Sequence, residues 1–203
     1  MKITFKLLIG ILAVYASLGL NAAHALLVDD VIIESVTGSG TNRAFFVIDF
    51  DETGTDNSFT FEYRWDPNIL TPTGWDMLSA IDAAESDLIV DSGGAPGQGF
   101  GVFINDVTYK GVSRGTATTG EFWAYWNAEG ADPDLPNDWV APFAFGISGR
   151  ILSDLSWDGL SIPFGPSPDF ASPPAPDVSA VPLPASAWLL LSAFVFLRRL
   201  MRS

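Results

Sequence analysis

All 24 acidic residues of this 203-residue chain fall between Leu26 and Ala180, and the segments on either side are apolar, free of acid and basic at their outer ends. A chain divided in this way cannot fold as one uniform globule. Its two ends require an apolar medium or removal, while its middle must face water. Of the ten Lys and Arg residues, Lys2 and Lys6 lie in the first segment and Arg198, Arg199 and Arg202 in the last. Arg43, Arg64, Lys110, Arg114 and Arg150 remain, so twenty-four acids against five bases give the middle a formal charge of −19. Such a body repels polyanions. Nucleic acid and anionic lipid, both recognised through clustered Lys and Arg, are therefore not expected as partners.

The first segment has the order of a secretory signal peptide: a short cationic start, an apolar run from Leu7 to Leu20, then small residues. The run is too short for a comfortable bilayer span. Ala23-His24-Ala25 supplies an A-x-A site, and cleavage is expected before Leu26, so residues 1–25 are read as a signal helix handled by the Sec translocon and signal peptidase. Cleavage would remove His24, the single histidine, and the chain has no cysteine. Ser-His-Asp and Cys-His catalysis, zinc sites of the Cys/His type and histidine-ligated haem are then excluded for the mature body. The fold must also rest on an apolar core without disulfides.

Residues 26–164 form an acidic body of ordinary single-domain size, and residues 165–180 read as a Pro-rich spacer. From residue 181 the character changes. Val181-Pro182-Leu183-Pro184 leads into the apolar stretch Ala185 to Leu197, followed by Arg198, Arg199 and Arg202. A helix from Val181 to Leu197 would rise about 25 Å, marginally enough to span a bilayer. The arginines place its C-terminal end on the cytoplasmic side and the acidic body on the export side. This three-part order resembles the PEP-CTERM sorting signal, with Leu183 where Glu often stands and Ser192-Ala193 where Ser-Gly is common. The resemblance implies an exported substrate of an exosortase in a Gram-negative bacterium. The protein would be cut near Val181 to Pro184, anchored transiently by its C-terminal transmembrane helix, then delivered to the outer envelope or the extracellular matrix with exopolysaccharide as a partner. A plain, uncut tail anchor is the alternative.

Within the body, apolar runs bounded by Gly, Asn, Asp and Pro predict strands near Val31–Ser35, Ala44–Phe50, Ser58–Trp65, Leu88–Val90, Gly101–Tyr109, Glu121–Trp126 and Leu160–Pro163. From Gly74 to Ser86 the pattern is helical, with Met77, Leu78, Ile81 and Ala84 on one face, Thr73 as N-cap and Asp76 three residues on. One helix among strands predicts an α+β fold, antiparallel and β-rich, with that helix across a sheet.

The boxes Tyr63-Arg64-Trp65-Asp66 and Tyr125-Trp126, with a helix and Ile104-Asn105-Asp106 between them, resemble those of a family of exported bacterial domains. More distantly they are similar to the β-grasp domain that ends transcobalamin-like proteins. The resemblance covers about Ala44 to Phe164 and implies a β-grasp-like sheet, with small-molecule or corrinoid binding by analogy of fold.

Three classes of site are open to such a body. Indoles stack on sugars and other flat ligands, which makes Trp65, Trp123 and Trp126 candidate ligand-binding residues, although most tryptophans serve as core. At three residues apart in a strand, Trp123 and Trp126 point to opposite faces. Arg64, between Tyr63 and Trp65, reads as a local brace. Asp49, Asp51 and Asp56 gather hard oxygen ligands around a turn that begins like an EF-hand loop, so calcium is the one cofactor the sequence suggests. Thr60 stands where the closing Glu would be, and a solvated turn is the ordinary reading. Carboxylate-only glycoside hydrolysis needs two separated acids, which any chain this acidic supplies by chance. The expectation is a non-catalytic protein, with a small-ligand or carbohydrate-binding module as the alternative.

Overall fold

The strand Asn42–Asp49 (β2) shows how the chain is organised, because every residue from Ala44 to Asp49 is buried. A strand covered on both faces must lie inside a sheet with layers above and below it. In this computed structural model, which describes residues 31–50, 57–97, 101–129, 139–142, 146–162, 172–174 and 176, β2 is the middle of five strands. It pairs antiparallel with Ser58–Trp65 (β3), Asn42 facing Trp65 and Asp49 facing Ser58. On its other side it pairs in parallel with Trp157–Ser161 (β8), Phe45 facing Trp157. Val36–Gly38 (β1) runs parallel to β3 at one edge, and Ala124–Ala128 (β7) runs antiparallel to β8 at the other. The order is β1-β3-β2-β8-β7.

A second, wholly antiparallel sheet joins Ile89–Gly94 (β4), Val102–Tyr109 (β5) and Val112–Gly115 (β6) in that order. The β5–β6 turn is two residues long, and Lys110 and Gly111 both have positive φ, 48° and 84°. That is the backbone twist a two-residue hairpin between right-handed strands requires.

The helix Gly74–Ala84 (α1) starts with the expected capping box. The Asp76 amide donates to Thr73 Oγ1 at 3.2 Å, and the Thr73 amide donates to Asp76 Oδ2 at 2.8 Å. Met77, Leu78 and Ile81 are fully buried and pack with Ala44, Phe46 and Ile48 of β2 and Phe61 of β3. Val107 and Tyr109 of the second sheet complete this principal core. On the opposite face of β2, Phe45 and Val47 pack with Trp139 and Trp157, and Phe45 stacks on Trp157 with ring centroids 4.5 Å apart. A second, four-residue helix, Gly146–Gly149 (α2), seats Ile147 against the principal core.

The fold is therefore α+β and β-rich, with one antiparallel sheet and one mixed sheet, in which β1–β3 and β2–β8 pair in parallel where the sequence led to an antiparallel expectation. Several element boundaries differ from the sequence expectation. Residues 31–35 carry no ladder of their own. The Glu34 amide reaches Thr60 O at 2.8 Å and Ser35 O accepts from Glu62 at 3.0 Å, and regular pairing begins only at Val36. The last strand begins at Trp157 rather than Leu160, because Asp158 and Gly159 lie inside the sheet. Within the stretch read as spacer, Pro173 and Pro176 are buried. Pro173 lies over Gly159, where a Cβ would approach its Cγ to 2.9 Å, so the missing side chain makes the room that the proline ring uses.

The expected signal helix, residues 1–25 with Ala23, Ala25 and Leu26, and the C-terminal helix, residues 181–203, lie outside the described residues. Among the described residues no helix is long and apolar enough to cross a membrane.

Candidate functional site

Four aromatic residues, Phe103, Phe122, Trp123 and Tyr125, line a cleft of about 340 Å³ beside the principal core. Strand β5 contributes Phe103 and Asn105, the β6–β7 connection contributes Thr116, Phe122 and Trp123, and Tyr125 of β7 and Ile147 of α2 line it as well. None of the described lining residues carries a charge.

The connection that delivers Phe122 and Trp123 is held by a buried acid. Asp106 Oδ2 accepts from the Ala117 amide at 3.1 Å, and its Oδ1 accepts from the Thr118 amide at 3.0 Å and the Thr118 hydroxyl at 2.8 Å. Burial alone would raise the pKa of this carboxyl, but the three donors overcome it and hold the group below the ordinary carboxylate range. Gly115 O accepts from the amides of Thr119, Gly120 and Glu121 at 2.9, 2.9 and 3.2 Å. Arg114 Nη1 then reaches both oxygens of Glu121 at 3.0 Å, and Thr119 Oγ1 donates to the same carboxylate. Residues 115–121 are thus tied at both ends. Trp123 leaves this loop with its Nε1 donating to Arg114 O at 3.2 Å and its ring edge-on to Phe50 at 5.3 Å. Phe122 beside it is 68% exposed, and Phe103 across the cleft is 53% exposed.

Behind the cleft runs a chain of polar contacts. Tyr125 donates its hydroxyl to Asp158 Oδ2 at 2.6 Å, and Arg150 Nε donates to Asp158 Oδ1 at 3.3 Å. Arg150 Nη1 pairs with Glu129 Oε1 at 2.5 Å, and Ser153 Oγ donates to the other Glu129 oxygen. Asp158 is completely buried, which pushes its carboxyl up to about 6, against the pull of Tyr125 and Arg150. Burial and the neighbouring Asp158 carboxylate raise the Tyr125 phenol, so it remains a donor. The chain fastens β7 to β8 and to the segment after α2, and it fixes the angle at which Tyr125 enters the cleft.

The tryptophans singled out from the sequence fall in three different places. Trp65 is 2% exposed and stacks on Tyr63 at 5.9 Å within the principal core. Trp123 lines the cleft. Trp126 packs on the opposite face of the sheet, its Nε1 donating to Ser161 Oγ at 2.9 Å, so the two indoles do take opposite sides. Arg64 makes the local brace expected of it, its Nε donating to Glu62 at 2.5 Å. Asp49 is buried at the end of β2, opposite Ser58 and Ser161, while Asp51 and Asp56 lie outside the described residues. Among the described residues no group of three or more acidic side chains is placed to hold a metal ion. The sorting residues Val181, Pro182, Leu183, Pro184, Arg198, Arg199 and Arg202 also lie outside the described residues.

Phe103 and Asp158 are site residues that the sequence pattern does not single out, whereas Tyr125 belongs to the Tyr125-Trp126 box and Phe122 opens the aromatic-rich stretch Phe122 to Asn127. Phe122 carries a signal in its adjacency to Trp123. Asp158 carries none, since Asp-Gly in a sequence reads as a turn. Comparison of the chain with protein families, curated proteins and solved structures finds no match.

Proposed function

We propose that this chain is an exported, non-catalytic protein of the outer envelope or extracellular matrix of a Gram-negative bacterium, delivered by an exosortase. The observation that carries this reading is the order of unlike elements at the C-terminus: Val181-Pro182-Leu183-Pro184, the apolar stretch Ala185 to Leu197, and Arg198, Arg199 and Arg202. The N-terminal segment supports it independently, because an A-x-A exit after a short apolar run requires the same topology as the C-terminal arginines. The Sec translocon, signal peptidase and exosortase are then its processing partners. The buried acids Asp106 and Asp158 fit a non-catalytic body, since both are occupied in holding a loop or a pair of strands.

The finer architectural reading is a β-grasp-like core. In its favour, a hairpin (β2–β3) is followed by a helix, and the final strand returns in parallel beside the hairpin's first strand, giving the order β3-β2-β8-β7. The β4-β5-β6 sheet falls between helix and return.

The test is fractionation of a host that carries the exosortase and expresses the full chain. The wild-type protein is expected in the outer envelope or medium, and a Pro182→Ala, Pro184→Ala double variant in the inner membrane. Equal retention of both forms in the inner membrane would overturn the reading and leave a plain tail anchor.

A further inference from the structure

We infer that the face of the five-stranded sheet around Gly159 is a recognition site for a proline-rich segment, and that its ligand is the chain's own residues 172–176. Sequence composition alone makes those residues part of a spacer. The structure instead buries two of their prolines, Pro173 and Pro176.

Three observations carry the assignment. The first is room. Gly159 lies within β8 and does not have positive φ, so its backbone does not require glycine. A Cβ there would meet Pro173 Cγ at 2.9 Å, Val47 O at 3.3 Å and Trp139 Cη2 at 3.4 Å. Glycine inside a strand ordinarily weakens it, and its presence marks a close approach. What approaches here is a proline ring, with the Trp139 indole beside it.

The second is the chemistry of seat and ligand. The amides and carbonyls of β8 are engaged in ladders with β2 and β7, so the face of the sheet presents side chains. An ordinary residue buried against that face would leave its N–H without a ladder partner, whereas proline has no N–H to leave. The wall is aromatic, since Trp139 and Trp157 are buried in this layer with Phe45 and Val47. Aromatic-lined grooves suit proline-rich segments, which are already extended and lose little freedom on docking.

The third is spacing. A polyproline II helix has about three residues per turn, so residues three apart share a side. Pro173 and Pro176 stand at that interval and are both buried, while Ser172 and Pro174 are half-buried.

Four residues, Asp177 to Ala180, lie between Pro176 and the sorting motif that begins at Val181. A cut between Val181 and Pro184 would therefore leave the seated prolines on the mature body. Only this consequence rests on the exosortase reading.

The test uses the full, uncut chain in a zwitterionic detergent, so its outcome does not depend on whether the tail is sorted. Nuclear Overhauser contacts from the Pro173 ring to Gly159 Hα and to the Trp139 indole are expected, and their absence in the folded chain overturns the seat. A double change, Pro173→Asp with Pro176→Asp, should empty it, and a synthetic peptide of residues 166–180 should then bind saturably. Because a tethered segment acts at an effective concentration on the order of millimolar, the peptide should bind the wild type about tenfold or more weakly, and the titration extends to that range. A folded double variant that ignores the peptide overturns the proposal, as does equal binding to both proteins. Should the double change prevent folding, Pro176→Asp alone replaces it, and the wild-type contacts decide independently. A concentration-dependent dimer that the proline changes dissolve would make the ligand the segment of a second copy and overturn its assignment to the chain's own.

Discussion

The hydroxyl of Tyr125 donates to the fully buried carboxylate of Asp158 across 2.6 Å, and this contact joins the cleft to the sheet. Tyr125 faces the cleft from an edge strand, while Asp158 sits in the strand paired in parallel with the middle of the sheet. Arg150 closes the contact from the other side. Whatever disturbs Asp158 should therefore register both in stability and in the placement of the cleft wall.

The first expectation concerns pH. Burial holds the Asp158 carboxyl at about 6, above its ordinary value of 3.8, so between those values the folded chain keeps a proton that the unfolded chain has released. Its contribution to stability is full below about pH 4 and is lost as the pH rises through 6. Asp106 acts in the opposite sense: its lowered pKa contributes stability above 3.8 that is lost as the pH falls. The thermal midpoint of the wild type should decline from about pH 4 to pH 6, and Asp158→Asn should flatten that decline. An unchanged slope in the variant would assign the pH dependence to another group.

Gly74 opens α1, and a Cβ there would meet Asp158 Oδ2 at 2.5 Å, the Tyr125 hydroxyl at 2.9 Å and Ile147 O at 3.0 Å. Alanine in a helix ordinarily gains about 0.5–1 kcal/mol over glycine. Here the crowding should reverse the sign, and Gly74→Ala should destabilise by about 1–3 kcal/mol in chemical denaturation. A stabilised variant would mean that the helix start has room to move away from the buried pair.

Two indoles on the same face of the sheet should respond differently to truncation. Trp157 is 2% exposed and stacks on Phe45, so Trp157→Ala should cost about 3–5 kcal/mol. Trp126 is partly exposed and makes one side-chain hydrogen bond, to Ser161, so Trp126→Phe should cost about 1 kcal/mol. Denaturant melts distinguish the two, and comparable losses would contradict the burial difference.

Much of this architecture is legible in the order of residues alone. The strand Ser58–Trp65 and the start of α1 at Gly74 fall where the apolar alternation and the Thr73–Asp76 box place them, because both signals are local. Strand β8 starts earlier than its apolar pattern indicates, for a nonlocal reason. Trp157-Asp158-Gly159 has the vocabulary of a turn, but Asp158 is satisfied by Tyr125 and Arg150 and Gly159 is covered by Pro173, partners that no sequence window brings together. The cleft is half legible. Trp123 announces itself as an aromatic candidate, whereas Phe103 gains significance only when β5 brings it across from Phe122. The β5–β6 hairpin escapes the pattern because its turn, Lys110-Gly111, requires positive φ at a lysine.

Processing of the two ends is tested most directly by intact-mass spectrometry of the protein recovered from a host that carries the exosortase. The predicted product begins at Leu26, ends between Val181 and Pro184, and yields no peptide containing Trp188. The same chain from a host lacking the exosortase should keep Arg202 and remain with the inner membrane. Recovery of the Arg202 end from the outer envelope of the exosortase-positive host would contradict the account.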